Sequence, residues 1–332
     1  MTTYSTTTTC DQSTNANFQA WVNEVYTGLV TQVGLTQTGD TGQMAVPSVT
    51  AAPGAVNQSV GYYCFRFNDT LQATVPIFFK LEFGSGNGAA NNPMMWITVG
   101  TATDGAGNVT NPCTRVAVCT AITGNAVTSF PSRWCYNTTQ GFCGLSFKNG
   151  MSNTSNTQYA GLGGFFIFRT VDNTGAPTAD GFHLLTNSNT NVGTTIYAYM
   201  QIRNANTGAW MAASGQTGNM PTNSWGALPW HTNLSMVAGT AQVFPVWQYK
   251  GSSTVPGTGI TNAAAIGIGN EIAVGSTITA TILGSLSLTY ISTMGGLGTN
   301  TLTADPNSTN GLSCGFLAGG FTPYVTLLML WQ

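Results

Sequence analysis

The sequence predicts a mainly β protein: an antiparallel β-sandwich or barrel-like domain with one N-terminal amphipathic helix and a flexible N-terminal arm. Three observations support this prediction. Many short segments are rich in β-branched and aromatic residues, and the clearest of them alternates between apolar and polar positions. Turn-forming segments such as "TDGAGN" and "DNTGAP" separate them. Only one stretch, close to the N-terminus, has helical periodicity instead.

The N-terminal region divides into an arm and a helix. Residues 1–16 are Thr-rich and of low complexity, so we expect a flexible arm. Ser13, Thr14 or Asn15 can cap the helix that follows, and Gly34 ends it. The apolar residues at steps of three and four are Phe18, Trp21, Val22, Val25, Tyr26, Leu29 and Val30. One apolar stripe predicts one packed face, against a sheet or a neighbouring subunit.

The clearest strand pattern is "ATVPIFFKLEF" (73–83), in which apolar residues occupy every second position from Ala73 to Phe83. Pro76 has no backbone N–H, which favours an edge strand or the start of a strand. Other predicted strands are "MMWITVG", "RVAVCTAI", "GFFIFRTV", "TTIYAYMQI", "AQVFPVWQYK", "SLSLTYIS" and "YVTLLMLWQ". We interpret residues 17–332 as one β-rich structural domain, with a long loop at 148–161 favoured over a subdivision there.

The chain is unusually poor in charge. Its 332 residues include eight basic and ten acidic ones, 5% in all, where soluble domains average about 25%. A net charge of −2 gives little repulsion between copies, so we expect a surface covered by copies of the chain or by partners. The scarcity of Lys and Arg argues against nucleic-acid binding.

Two further patterns bear on location. No run of 18 apolar residues exists, so the sequence predicts no membrane span. Residues 1–18 lack the basic and apolar regions of a signal peptide, and we therefore expect synthesis in a cytoplasm without export by a cleavable signal.

The seven cysteines allow several interpretations. Cys113 with Cys119, and Cys135 with Cys143, have spacings that suit the closure of short hairpins or loops, which makes them candidate disulfides. Buried free thiols are the other main interpretation. Neither pair has zinc-knuckle spacing or a nearby histidine, so we expect no metal and no cofactor. An odd total leaves one thiol over, and Cys10 on the arm is the candidate for a link between chains.

Catalytic motifs are missing from the sequence. It has no nucleophile elbow, HExxH, P-loop or dinucleotide fingerprint. We interpret His183 in "GFHLL" as a structural residue, and His231 has no recognisable partner. Asp104 in "TDGAGN" indicates a turn better than a calcium loop. The chain is therefore not expected to be an enzyme.

Four tryptophans form the best candidate for a binding surface. Trp210, Trp225, Trp230 and Trp247 lie within 38 residues of one another, among Gly, Asn, Thr and Met. Aromatic side chains bind sugars and anchor protein interfaces, so the segment is a candidate interface or receptor patch. Ordinary packing in the core and between subunits is the alternative.

Four segments together resemble virion structural proteins of tailed bacteriophages. They are "NFQAWVNEVYTGLVTQVGLTQTGDTGQM" (17–44), "YYCFRFNDTLQATVPIFFKLEFGSG" (62–86), "MWITVGTATDGAGNVT" (95–110) and "FFIFRTVDNTGAPTADGFHLL" (165–185). In this family a short helix with an aromatic–Trp pair leads into a "GLTQTxDTGQ" turn. Its members are encoded among tail and neck genes, mostly without an assigned role.

The resemblance implies a non-enzymatic part of the particle exterior, in the tail, baseplate, collar or fibre. Its partners would be copies of itself and other virion proteins, with assembly in the host cytoplasm and exposure after lysis. A virion adhesin that binds a host receptor or glycan through the Trp-rich segment is the alternative. The cysteines depart from the family pattern, and they raise the hypothesis of disulfides formed after release.

The segment "RFNDTLQATVPIFFKLEF" holds four of the few charges: Arg66, Asp69, Lys80 and Glu82. We expect Arg66 and Glu82 to pair across neighbouring strands. On an edge strand that also carries Pro76, such charges would oppose wrong sheet-to-sheet pairing. The hypothesis is that these four residues set the orientation of subunits in the assembly.

Overall fold

A computed structural model describes residues 2–8, 15–45, 58–85, 93–120, 130–137, 141–148, 162–171, 176–191, 195–203, 208–214, 242–250, 265–268, 281–292, 312–317 and 325–330. These residues form a mainly β protein with antiparallel sheets and one N-terminal helix, which confirms the predicted fold class.

The helix is where the sequence predicts it. Helix α1 spans Asn15–Tyr26 and continues as a π-helical turn over Thr27–Gln32. In that turn the Val33 N–H donates to the Gly28 carbonyl, five residues back. Gly34 then takes a φ of 85°, which a residue without a Cβ adopts at little cost, and the helical path ends there. Five residues of the predicted stripe are buried, and Tyr26 and Val30 are partly buried; the five are Phe18, Trp21, Val22, Val25 and Leu29.

A five-stranded antiparallel sheet, the small sheet, contains Arg66, Lys80 and Glu82 of the charged segment. Its strands are β2 (Thr36–Gln37), β3 (Ser59–Arg66), β4 (Phe78–Ser85), β5 (Pro93–Gly100) and β8 (Val116–Thr120), in the spatial order β2-β3-β4-β5-β8. A short hairpin of β6 (Ala102–Thr103) and β7 (Val109–Thr110) lies between β5 and β8 in the chain.

The predicted strand 73–83 requires two corrections. It begins only at Phe78, because residues 70–74 form a turn in which the Val75 N–H donates to the Leu71 carbonyl. It is also not an edge strand, since β4 is paired with β3 on one side and β5 on the other. Pro76 precedes the strand, where its missing N–H removes no ladder bond.

The remaining strands form a twelve-stranded antiparallel sheet, the large sheet, with the central order β1-β9-β10-β11-β12-β13-β14. These strands are β1 (Thr2–Thr8), β9 (Phe130–Asn137), β10 (Phe142–Lys148), β11 (Leu162–Val171), β12 (Pro177–Asn191), β13 (Thr195–Arg203) and β14 (Trp210–Ser214). The others are β15 (Gln242–Lys250), β16 (Ala265–Ile268), β17 (Thr281–Ser292), β18 (Leu312–Leu317) and β19 (Val325–Leu330). Strand β17 joins this second group to β11.

The core lies between the two sheets and under the helix. Phe79 of the small sheet meets Phe165 of the large sheet at 5.8 Å between ring centroids. Trp21 of α1 packs edge-on against Phe83 at 5.5 Å. Aromatic pairs in these geometries add about 0.5–1.5 kcal/mol each beyond the area that they bury. The inner face of the small sheet is therefore covered by α1 on one part and by the large sheet on another.

Part of the N-terminal arm, predicted to be flexible, is a β-strand. Residues 2–8 form strand β1, which pairs with β9 from Thr2 opposite Tyr136 to Thr8 opposite Phe130. The Tyr4 hydroxyl also donates to a Glu24 carboxylate oxygen of α1, at 3.0 Å. Thr has high β propensity, and a partner strand within the same chain orders this segment. Cys10 lies outside the described residues, as do residues 149–161 with the predicted long loop.

Candidate functional site

Asp69 follows β3, and its partner Arg169 lies on β11 of the opposite sheet. The Arg169 Nε donates to Asp69 Oδ2 at 2.6 Å, and Nη2 donates to Oδ1 at 2.9 Å. Both side chains are fully buried. A bidentate pair of this kind compensates two buried charges for their lost hydration. It fastens the turn after β3 to the large sheet.

Neighbouring contacts complete this clamp. The Arg169 Nη1 donates to the Val75 carbonyl at 2.7 Å, which fixes the far end of the 69–75 turn. The Arg169 backbone N–H donates to the Gly141 carbonyl at 3.0 Å. Beside it, the Asn68 N–H donates to the Tyr136 hydroxyl at 2.8 Å. We call Asp69, Arg169, Val75 and Gly141 the interior clamp.

Asp40 organises a second network. The Thr103 hydroxyl donates to Asp40 Oδ2 at 2.7 Å, the Gly107 N–H donates to Oδ1 at 3.0 Å, and the Thr38 hydroxyl also donates to this carboxylate. Burial acts to raise the pKa of Asp40, but these hydrogen bonds outweigh it and the pKa is lowered. Asp40 thus joins the turn after β2 to the β6–β7 hairpin.

The β6–β7 hairpin owes its shape to Asp104 and Tyr62. Asp104 Oδ1 accepts hydrogen bonds from the N–H groups of Ala106 and Asn108, which confirms the predicted turn. The hydrogen bond from the Asn108 side-chain amide lowers the Asp104 pKa most, and the two backbone bonds lower it further. The Tyr62 hydroxyl lies 2.6 Å from the Thr41 carbonyl oxygen and 3.1 Å from that of Ala106, so it shares its proton between them.

Lys80, Glu82 and their neighbours form a cluster on the outer face of the small sheet, away from the core. The Lys80 ammonium lies 4.3 Å from the Tyr62 ring centroid, and the Arg115 guanidinium lies 4.2 Å from that of Trp96. The Arg115 Nε donates to a Glu82 oxygen at 2.7 Å. With 41% of the Arg115 side chain exposed, water screens this ion pair.

The predicted Arg66–Glu82 pair is wrong, and strand register explains it. Arg66 lies opposite Phe78, whereas Glu82 lies opposite Tyr62. The two charges are therefore four residues apart along the paired strands, too far for contact. The four charged residues proposed to set subunit orientation are therefore not one group. Asp69 belongs to the interior clamp, and Lys80 and Glu82 belong to the outer cluster. Arg66 belongs to neither.

The described carboxylates already have hydrogen-bond partners within the chain. Each of the five whose side chains are described accepts at least one such bond: Glu24, Asp40, Asp69, Glu82 and Asp104. In the part of the chain that the structure describes, no three His, Cys, Asp or Glu side chains are grouped as a metal site would need. The hydrogen bonds of these carboxylates hold loops and strands in position.

The two candidate disulfides are not present. Cys113 and Cys143 are buried free thiols, as is Cys64. Cys143 lies opposite Tyr136 in the ladder, and Cys135 lies opposite Gly144, so the two cysteines are not directly opposed. The Cys113 sulfur instead accepts a hydrogen bond from the Val99 N–H at 3.1 Å. Burial raises the pKa of Cys64 and of Cys113 to about 12 each, and raises that of Cys143 as well.

Only one member of the tryptophan patch has a described side chain. Trp210 donates its indole N–H to the Asn111 carbonyl at 2.8 Å and packs edge-on against Phe182. Its ring serves a contact within the chain, as ordinary packing would. Trp225 and Trp230 lie outside the described residues, and Trp247 is described only by its backbone pairing in β15.

His183 is buried against Phe168 and accepts a hydrogen bond at Nδ1 from the Arg203 N–H, in agreement with a structural role. His231 lies outside the described residues. As for the bilayer, the described residues include no helix with the length and apolar character needed to cross one.

No family model, curated protein or solved structure matches the chain.

Two positioning residues were missed by the sequence analysis. Arg169 could have been found, because it interrupts the apolar segment "FFIFRTV" and a charge in a buried strand needs a partner. Gln201 had no such signal. Its side chain accepts from the Thr114 N–H and donates to the Thr114 carbonyl, both at 2.7 Å, and so ties β13 to the segment before β8.

Proposed function

We propose that the chain is a non-enzymatic structural component of a tailed phage particle, in the tail, baseplate, collar or fibre region. It acts by assembly with copies of itself and with other virion proteins. It is assembled in the host cytoplasm and exposed to the medium after lysis.

The observation that carries the proposal is that the four segments with the phage resemblance contact one another. Asp40 of the first segment bonds Thr103 and Gly107 of the third. Asp69 of the second bonds Arg169 of the fourth. Trp21 of the first packs on Phe83 of the second. Segments that share a resemblance and a common core are what one related structural unit would contain.

The placement of the charges supports a structural role. The buried pair and the Asp40 network join loops and sheets. Each carboxylate whose side chain is described accepts a hydrogen bond from within the chain. With a net charge of −2, copies of the chain repel one another little. A protein with these properties is suited to a surface that becomes covered in an assembly.

The test is direct detection in particles. An antibody raised against the purified chain is applied to purified phage particles from the lysate in which the gene is expressed, and bound antibody is located by immunogold electron microscopy. We expect labelling confined to the tail or neck, and peptides of the chain in the mass spectrum of the particles. Particles without label and without peptides would overturn the proposal.

A further inference from the structure

Strand β1 lies at the end of the large sheet, where one of its edges pairs with no other strand that the structure describes. Among the strands that the structure describes, its neighbour is β9 alone. Eight described strands have a single neighbour in this way, among them β6 and β7 of the two-residue hairpin. β1 has seven residues, and the others have two each in β2, β6 and β7, five in β8, five in β14, four in β16 and six in β18. It is therefore the longest of these edges.

The sequence of β1 has none of the usual protection of an edge. Proteins discourage strand addition with charged side chains, proline or β-bulges. "TTYSTTT" has no charge and no proline, and its register with β9 runs from Thr2 to Thr8 without a shift. Five of its seven residues are Thr, which favours extended backbone. An edge of this kind is a template for another strand.

The strand is complementary to itself in the antiparallel direction. When two copies are aligned about Ser5, Thr2 lies opposite Thr8, Thr3 opposite Thr7, Tyr4 opposite Thr6, and Ser5 opposite Ser5. Every pair brings two hydroxyl-bearing residues together, and no like charges meet. Thr–Thr pairs across strands, such as Thr2–Thr8 and Thr3–Thr7 here, contribute about 0.2–1 kcal/mol each relative to Ala pairs.

We propose that β1 pairs with β1 of a second copy of this chain, antiparallel and centred on Ser5. The two large sheets then become one continuous sheet across a two-fold axis. Such an interface is closed, because each copy presents the same edge. The inference rests on the proposed function in one respect: self-assembly, which that function requires, needs a contact between copies of the chain. One seven-residue pairing is weak alone and gains strength when many contacts form together.

Cysteine cross-linking tests the register. Antiparallel partners have Cα atoms about 4.5–5.5 Å apart, within the range that a disulfide spans. In a chain with Cys10→Ser to remove the nearest native thiol, S5C should form a cross-linked dimer on mild oxidation. Peptide mapping should then show position 5 joined to position 5. T3C alone should stay monomeric, while a mixture of T3C and T7C chains should cross-link.

The variant S5C/R133C shows whether a missing S5C dimer reflects a missing contact or a failed oxidation. Ser5 lies opposite Arg133 within one chain, so S5C/R133C should close an internal bridge. If that bridge forms while S5C alone yields no dimer, β1 is docked, oxidation works, and the proposal is overturned. An inter-chain bridge that joins position 5 of one copy to position 133 of another in S5C/R133C would also overturn it, in favour of exchange of β1 between copies. Detection in particles does not depend on β1, so failure of this inference and failure of the proposed function give different results.

Discussion

Asp69 and Arg169 lie one hundred residues apart in the chain and form a bidentate ion pair, with oxygen–nitrogen distances of 2.6 and 2.9 Å and no exposed side-chain surface. Burial makes this pair different from the other described ion pair, Arg115–Glu82, which lies at the surface. Removing one partner of a buried pair leaves a charge that the interior cannot solvate.

Asp69→Asn should therefore lower the free energy of unfolding by about 3–5 kcal/mol. The matched control is Glu82→Gln, which breaks the exposed pair and should change stability by less than about 1 kcal/mol. Urea unfolding followed by tryptophan fluorescence measures both. The double variant Asp69→Asn/Arg169→Met should be more stable than Asp69→Asn, because no unpaired charge remains. Equal effects of Asp69→Asn and Glu82→Gln would contradict the role given to the clamp.

Gly141→Ala should also damage the clamp. Gly141 has a φ of 60°, and a Cβ there would lie 2.5 Å from Arg169 Cδ and 2.9 Å from Asp69 Oδ2. The control is Gly105→Ala, with a φ of 81° but no atom within 4 Å of the new Cβ. Both variants strain the backbone by about 1 kcal/mol, but only Gly141→Ala also displaces the clamp. Thermal unfolding should show the larger loss for Gly141→Ala, and equal losses would refute the close approach.

Acid should weaken the Asp40 network. Its folded pKa is lowered, so the carboxylate binds protons less readily in the folded state than in the unfolded state. The stabilisation is present above the unfolded pKa of about 3.9 and is lost as pH falls through the folded pKa. Asp40→Asn should lose stability at pH 7 and depend less on pH between about 5 and 3 than the unmodified chain. Urea unfolding at several pH values checks this, and parallel curves would contradict it.

The three buried thiols should resist alkylation in the folded protein. The thiolate is the reactive form, and burial raises the pKa of Cys64 and Cys113 to about 12 and also that of Cys143. Iodoacetamide at pH 8 followed by peptide mapping should leave these positions unmodified until urea is added. The unfolded chain is the reference for full labelling. Peptide mapping also tests the disulfide hypothesis, because a bridge found at Cys113 or Cys143 would contradict the structure directly.

The sequence predicted those features that depend on periodicity. The helix from Asn15 and the apolar face of Phe79, Leu81 and Phe83 both follow from spacing alone, because one side of each element must be buried. The start of β4 was misplaced by five residues, from Ala73 to Phe78, because the alternation continues through a turn whose geometry depends on Asp69 and Arg169.

Pairings between distant residues could not be predicted in the same way. Glu82 was assigned to Arg66 because both lie in one short segment, but the register places Glu82 within reach of Arg115 instead. Likewise, the Thr-rich composition of β1 indicated disorder, and only the location of β9 beside it shows why it is a strand. Both errors concern contacts that the folded chain creates.

The interior clamp can form only at a late stage in the synthesis of the protein. When a ribosome has released the chain as far as β8, the small sheet has all its strands, but Asp69 has no cation and Phe79 lacks Phe165. Both partners arrive with β11, after β9 and β10 have been translated. Until then the nascent chain exposes apolar surface and a carboxylate destined for the interior, which is the stage at which aggregation competes with folding.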